Sequence, residues 1–187
     1  MSQQTGSTDA GETGPEEGTG YARFAATIVT SMVVMYGVMY LNTSQWAHVE
    51  FSETRLYMTF LMGASMTVVM MSYMWSMYRA RRANVGVLLL AAVVFAGALW
   101  LVRSQATVDD RSYMRAMIPH HSIAVLTSTR ADIDDVRVRA LADRITATQC
   151  REIAEMQWLI EDIADQGEVH DPAEAERRAV PEFDDRC

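Results

Sequence analysis

Apolar positions along this chain fall into two regimes. Between residues 24 and 102 they run almost unbroken in three stretches, 24–41, 56–78 and 85–102, none of which contains a charged residue. Each approaches the ~20 residues a helix needs to cross the hydrocarbon core of a bilayer. Aromatic residues mark the ends: Tyr21, Tyr40, Trp46, Tyr57, Trp75, Tyr78 and Trp100, as expected where a ring meets the headgroup layer. A buried soluble bundle can imitate one such stretch. Three in succession predict a transmembrane domain over residues 21–104.

After Ser104 the apolar residues thin out to a helical spacing of three and four. One helix is predicted from about residue 108 to 130, with Asp109 and Asp110 at its positive end. A second is predicted from Asp134 or Asp135 to about Asp165, stopped by Gly167. The connection, residues 131–133, is short enough to force an antiparallel hairpin over 105–166. Residues 1–20 are Gly, Ser, Thr, Glu and Gln without apolar periodicity and read as a disordered acidic tail. The first apolar run begins only at Phe24, so no cleaved signal is expected. Residues 167–187, acidic and containing Pro172 and Pro181, read as a second tail without fixed structure. The predicted fold class is all-α: three transmembrane helices followed by a helical hairpin.

Charge sets the predicted orientation. Arg79, Arg81 and Arg82 lie between the second and third stretches, which places that loop in the cytoplasm. The loop from Asn42 to Thr54 carries His48, Glu50 and Glu53 but no Lys or Arg, and should face outward. The amino terminus is then cytoplasmic and the hairpin extracytoplasmic, on a multi-pass protein of the cell (inner) membrane. Arg103, Arg111 and Arg115 argue the other way.

Composition narrows the chemistry. Of 187 residues half are apolar, the net charge is −8, and there are 14 methionines and two cysteines. No basic patch or nucleic-acid motif occurs, so nucleic acid is excluded as a partner. Cys150 and Cys187 form no CxxC pair and no zinc-type spacing; a disulfide scaffold is not expected. No Ser/His/Asp arrangement, phosphate loop or nucleotide fingerprint points to an enzyme.

The stretch Met114-Arg115-Ala116-Met117-Ile118-Pro119-His120-His121 packs two thioethers and two imidazoles into about two helical turns. These are ligands that soft and borderline metal ions prefer, Cu(I) above all. On a helical wheel Met114, Met117, Ile118, His121 and Val125 share a stripe, and His120 points about 100° away. Pro119 either kinks this helix or begins a new one; in the second case His120 takes the place of His121. The wheel of the second helix collects Val138, Leu141, Ile145, Leu159, Ile160 and Ile163, with Gln149, Glu152 and Met156 in the middle of that face. A carboxylate buried there needs a proton, a partner or a metal. Cys150 falls well off the face. The hairpin would set Met114, Met117 and His121 against Gln149, Glu152 and Met156. The plain alternative is that the histidines are hydrogen-bonded and the methionines fill a core.

The membrane methionines are read differently. Met58, Met62, Met66, Met70 and Met74 recur every fourth residue, with Met71 and Met77 added; Met32, Met35 and Met39 form a tighter face on the first stretch. Such a row could pass a soft cation along thioethers. Packing along a four-residue ridge is favoured, because no charged or imidazole group lies within the stretches. Gly63, Ser65 and Thr67 suggest close helix packing.

Tyr113-Met114, Met117-Ile118-Pro119-His120-His121, Arg139-Ala140-Leu141-Ala142, Ile145, Gln149, Glu152-Ile153, Glu155-Met156 and Leu159 together resemble the domain-of-unknown-function family 305 (DUF 305), grouped with ferritin-like helical bundles. Leu101-Val102-Arg103-Ser104-Gln105 resembles its membrane-anchored subgroup. The resemblance implies a secreted or membrane-tethered domain connected with copper and without agreed enzymatic activity. It also implies two hairpins pairing into a four-helix bundle, so the hairpin is a half-bundle completed in a homo-oligomer. The metal residues it implies are Met114, Met117, His120, His121 and Met156; the wheel adds Glu152. The Glu-x-x-His pairs of di-iron bundles are missing.

The expected function is therefore a membrane-anchored copper-binding protein, for sequestration or hand-over to a copper-handling partner. The rival is an interaction module of a membrane complex with no bound metal. A third reading takes the methionines as reversible scavengers of oxidants.

Overall fold

The computed structural model describes residues 15–187. Among them it is all-helical, with a membrane-length bundle followed by a hairpin. Helices α1 (Pro15–Val38), α2 (Glu53–Tyr73) and α3 (Arg81–Ser104) are each long and apolar enough to cross a bilayer. Their outward faces carry Val33, Val34, Leu89, Leu90, Val93 and Trp100, all exposed, which is compatible with a surface that faces lipid.

Helix α2 is the common neighbour of α1 and α3. Gly63 permits the close approach of α1: a Cβ there would lie 2.3 Å from Met32 Sδ. Met71 is fully buried with Phe24 and Ile28, and Met32, Met66, Met70 and Met74 pack round them. These thioethers fill the α1–α2 seam, the packing role favoured from the four-residue spacing. At one end the seam is pinned: Tyr21 Oη donates to Asn84 Oδ1 at 2.6 Å, and Asn84 Nδ2 donates to the Tyr78 carbonyl at 3.0 Å. At the other end Arg55 Nη1 donates to the Met39 carbonyl at 2.8 Å and its guanidinium stacks over Tyr40, satisfying an orphan carbonyl just past α1.

Helices α4 (Asp110–Arg130) and α5 (Val136–Gln166) form the hairpin. Both starts are capped by local chemistry: Asp109 accepts from Ser112 N at 2.7 Å, and Asp135 from Arg137 N at 2.8 Å, each satisfying a free donor of a first turn. Gly167, at φ +82°, ends α5; its missing Cβ makes that backbone accessible. The core holds Met114, Ile118, Val125, Cys150, Ile153 and Met156. A short 3₁₀ turn, Trp46–His48, lies between α1 and α2 and packs on α4.

Four expectations are corrected. Residues 15–20, assigned to a disordered tail, already belong to α1; Pro15 opens the helix, where its missing N–H costs nothing. The rest of that tail, residues 1–14, lies outside the described residues. The carboxyl-terminal segment is structured as well. Asp171 caps a short helix, α6 (Pro172–Arg177), and Arg178 pairs with Asp162 and donates to the Gly167 carbonyl at 3.1 Å. Third, Cys150 and Cys187 form a disulfide, which returns the end of the chain to the middle of α5. Linear spacing does not encode such a pair, because a doubling-back chain joins positions 37 residues apart. Finally, the apolar face drawn for α5 is split. Val138 and Leu141 are each 48% exposed and Ile145 37%, whereas Ala142, Cys150, Ile153 and Met156 are buried. The split runs along the helix: Met156, Leu159 and Ile163 lie about five turns beyond Val138, Leu141 and Ile145 at the same wheel positions, yet Met156 is buried and Leu159 and Ile163 pack against the core. A wheel projects length away and so cannot show which part of a face is covered.

Candidate metal site

The hairpin register decides which donors meet. His121 Nδ1 lies 3.2 Å from Glu152 Oε2, with the imidazole 13% and the carboxylate side chain 43% exposed. Gln149, one turn earlier on α5, donates from Nε2 to the same oxygen at 3.0 Å. Met117 precedes His121 by one turn and Met156 follows Glu152 by one turn. Because the helices are antiparallel, both steps run the same way, so these thioethers flank the His121–Glu152 contact on one side. Met114 and Met156 share the buried core, and Met117 packs against it.

His120 does not join them. Helix α4 continues through Pro119, so the wheel holds across it and His120 turns into solvent, its ring 6.1 Å from that of His121. The alternative in which His120 replaces His121 is thereby removed, and His120 leaves the candidate ligand set.

Among the described residues no three His, Cys, Asp or Glu side chains converge. What the hairpin assembles is one imidazole and one carboxylate beside thioethers. Burial holds the His121 imidazole below the usual histidine range, outweighing the nearby Glu152 carboxylate, which pulls the other way. It is thus neutral at neutral pH, the state a metal ligand needs. Its Nδ1 is buried and makes no hydrogen bond of acceptable angle, despite the 3.2 Å approach to Glu152. Proximity alone does not satisfy it, because hydrogen bonding weakens steeply off the donor axis.

A second polar cluster went unread in the sequence. The Ser44 amide donates to Ser122 Oγ at 2.8 Å, Ser44 Oγ lies 2.9 Å from it, and His48 Nδ1 lies 2.9 Å from it. Both His48 and Ser122 are buried. Ser122 follows His121 on α4 but faces the other way, onto the loop between α1 and α2. Arg115 approaches Glu50 at 3.9 Å, and Tyr57 Oη meets Thr107 Oγ1 at 2.8 Å. These contacts fasten the hairpin to the helical bundle. Nothing in local periodicity pairs positions 48 and 122; the only sequence signal was a histidine in a loop free of Lys and Arg.

Burial lowers the His48 pKa below its ordinary 6.5, which makes this joint pH-dependent. A histidine released from the joint takes up a proton near 6.5, earlier on acidification than the docked one. The stabilisation is therefore complete above that pH and declines as pH falls through 6.5 toward the lowered value. His121 is shifted the same way, so His48→Gln should reduce, without abolishing, the loss of thermal stability between pH 8 and 5. An unchanged slope in the variant would show that His48 plays no part.

A membrane-length helical bundle bearing an antiparallel hairpin defines an all-α protein with membrane-span-like helices. Residues 110–183 match the model of the family described as "Domain of unknown function (DUF305)", and the hairpin is a domain of this family. An uncharacterized protein of Acanthamoeba polyphaga mimivirus is 27% identical over 143 residues, covering 72% of this chain and 91% of that protein. That length exceeds the hairpin and its tail, so the similarity extends into the apolar helices. No solved structure matches significantly.

Proposed function

We propose that the protein is a membrane-anchored, extracytoplasmic Cu(I)-binding protein that sequesters the ion or hands it to a copper-handling partner. It is a binding protein and not an enzyme. Met117, His121, Glu152 and Met156 form the ligand set, with Met114 backing them from the core. The observation that carries this reading is the buried, neutral His121 Nδ1 without a hydrogen bond, facing a carboxylate oxygen at 3.2 Å. Two electron-rich atoms so close call for a proton or a cation between them, and the neighbouring thioethers favour a soft one. Glu152 is partly exposed, which leaves the ion a route in and out. The Cys150–Cys187 disulfide favours an oxidising compartment, since cytosolic thiols are kept reduced. That supports the orientation inferred from Arg79, Arg81 and Arg82.

The test is a Cu(I) titration of the full chain in detergent against a competing chromophoric chelator. One equivalent should bind, His121→Gln with Met117→Leu should weaken binding at least ~10-fold, about 1.4 kcal/mol, and His120→Ala should leave it unchanged. Equal affinity in the double variant would reject the site.

A second reading has its own observation. The exposed ridge of Val138, Leu141 and Ile145 on α5 is the kind of surface a second copy covers, giving a four-helix interaction module. A chain that binds no copper yet keeps a constant dimeric mass would favour this reading.

A further inference from the structure

The inner rim of the helical bundle holds a cleft that the copper reading does not use. It has a volume of about 670 Å³ and lies between α1 and the end of α2, with Arg23 and Arg79 at its edge and Phe24, Met70, Met74 and Tyr78 in its wall. The wall is preset. Tyr78 packs on Tyr21 at 4.7 Å between ring centroids and edge-on to Phe24 at 5.9 Å. Asn84, fully buried, ties Tyr21 to the Tyr78 carbonyl.

The two arginines at the edge are exposed, and neither has a carboxylate within ion-pair reach among the described residues. Arg81 and Arg82 follow immediately and are exposed as well. Four cations thus gather at one end of three membrane-length helices, beside an aromatic and thioether wall. Such a rim favours an anion over a metal ion. A soluble anion would find charge but no use for the apolar wall. An amphiphile with an anionic head matches both parts: phosphate pairs strongly with guanidinium, and an acyl chain lies against flexible methionines and rings.

We infer that this cleft binds an anionic phospholipid of the leaflet beside the arginine loop, its phosphate held by Arg23 and Arg79 and one acyl chain along Phe24, Met70 and Met74. Basic pockets between membrane helices commonly serve anionic headgroups. The site does not depend on copper binding at the hairpin.

The experiment is native mass spectrometry of the full chain in detergent, titrated in parallel with phosphatidylglycerol and phosphatidylcholine of equal chain length. Phosphatidylglycerol should be retained at least ~5-fold more, and Arg23→Gln with Arg79→Gln should bring it down to the phosphatidylcholine level, whereas Arg130→Gln should not. Both arginines are exposed, so the variant keeps its core. Equal retention of the two lipids, an undiminished preference in the double variant, or displacement of the lipid by inorganic phosphate at equal concentration would each overturn the inference.

Discussion

Replacing Cys187 with serine is expected to destabilise the hairpin by about 3–4 kcal/mol, because opening a loop of this length returns conformational entropy to the unfolded chain. The bond joins positions 37 residues apart, from the middle of α5 to the last residue. In the native chain Cys187 is exposed, so serine leaves no buried hydroxyl there. Cys150 keeps its place in the core as a small apolar side chain. Unfolding of the full chain in detergent, followed by circular dichroism, should show a lower midpoint for the variant. A reductant should lower the native protein to the same midpoint and leave the variant unaffected. Equal midpoints with and without reductant would mean that the carboxyl-terminal strap contributes nothing to the hairpin.

The second large effect is expected from Ile118→Ala. Ile118 is fully buried among Met114, Val125, Ile153 and Met156, where loss of three carbons removes transfer energy and leaves a cavity, together about 2–5 kcal/mol. Leu141→Ala is the informative control. Both residues belong to apolar stripes on the wheel, but Leu141 is half exposed and should cost well under half as much in a monomeric sample. Similar losses at the two positions would show that the open first part of α5 is covered after all, as a second copy of the hairpin would cover it.

Copper binding and lipid retention test opposite ends of the molecule, and their outcomes are independent. Loss of lipid preference in Arg23→Gln with Arg79→Gln leaves the His121–Glu152 pair untouched, because the arginines and the hairpin lie on different elements. Acidification acts through the joint between them. Its effect has a second source in His121, held below the ordinary histidine range by burial as His48 is, and the His48→Gln variant separates the two.

The helices were legible because their causes are local. Uncharged runs of membrane length, Asp109 and Asp135 as caps, Gly167 as a stop and the short connection over residues 131–135 all act within a few positions of themselves. The donor types at the candidate site were legible for the same reason, since Met117 with His121 and Glu152 with Met156 are one turn apart on their own helices. Register across the hairpin then follows from its short connection, which brought His121 to Glu152 as the wheels implied.

What only the tertiary structure decided concerns residues far apart in the chain. The continuity of α4 through Pro119 selected His121 over His120. The packing of the hairpin buried Cys150 and Met156 but left Val138, Leu141 and Ile145, near the start of α5, open. The return of the tail joined Cys150 to Cys187, and the seating of the hairpin on the bundle brought Ser122 to His48. Periodicity describes which side chains share a face of one helix, whereas the partner of that face depends on how whole helices pack, and that energy is spread over many contacts that no single segment contains.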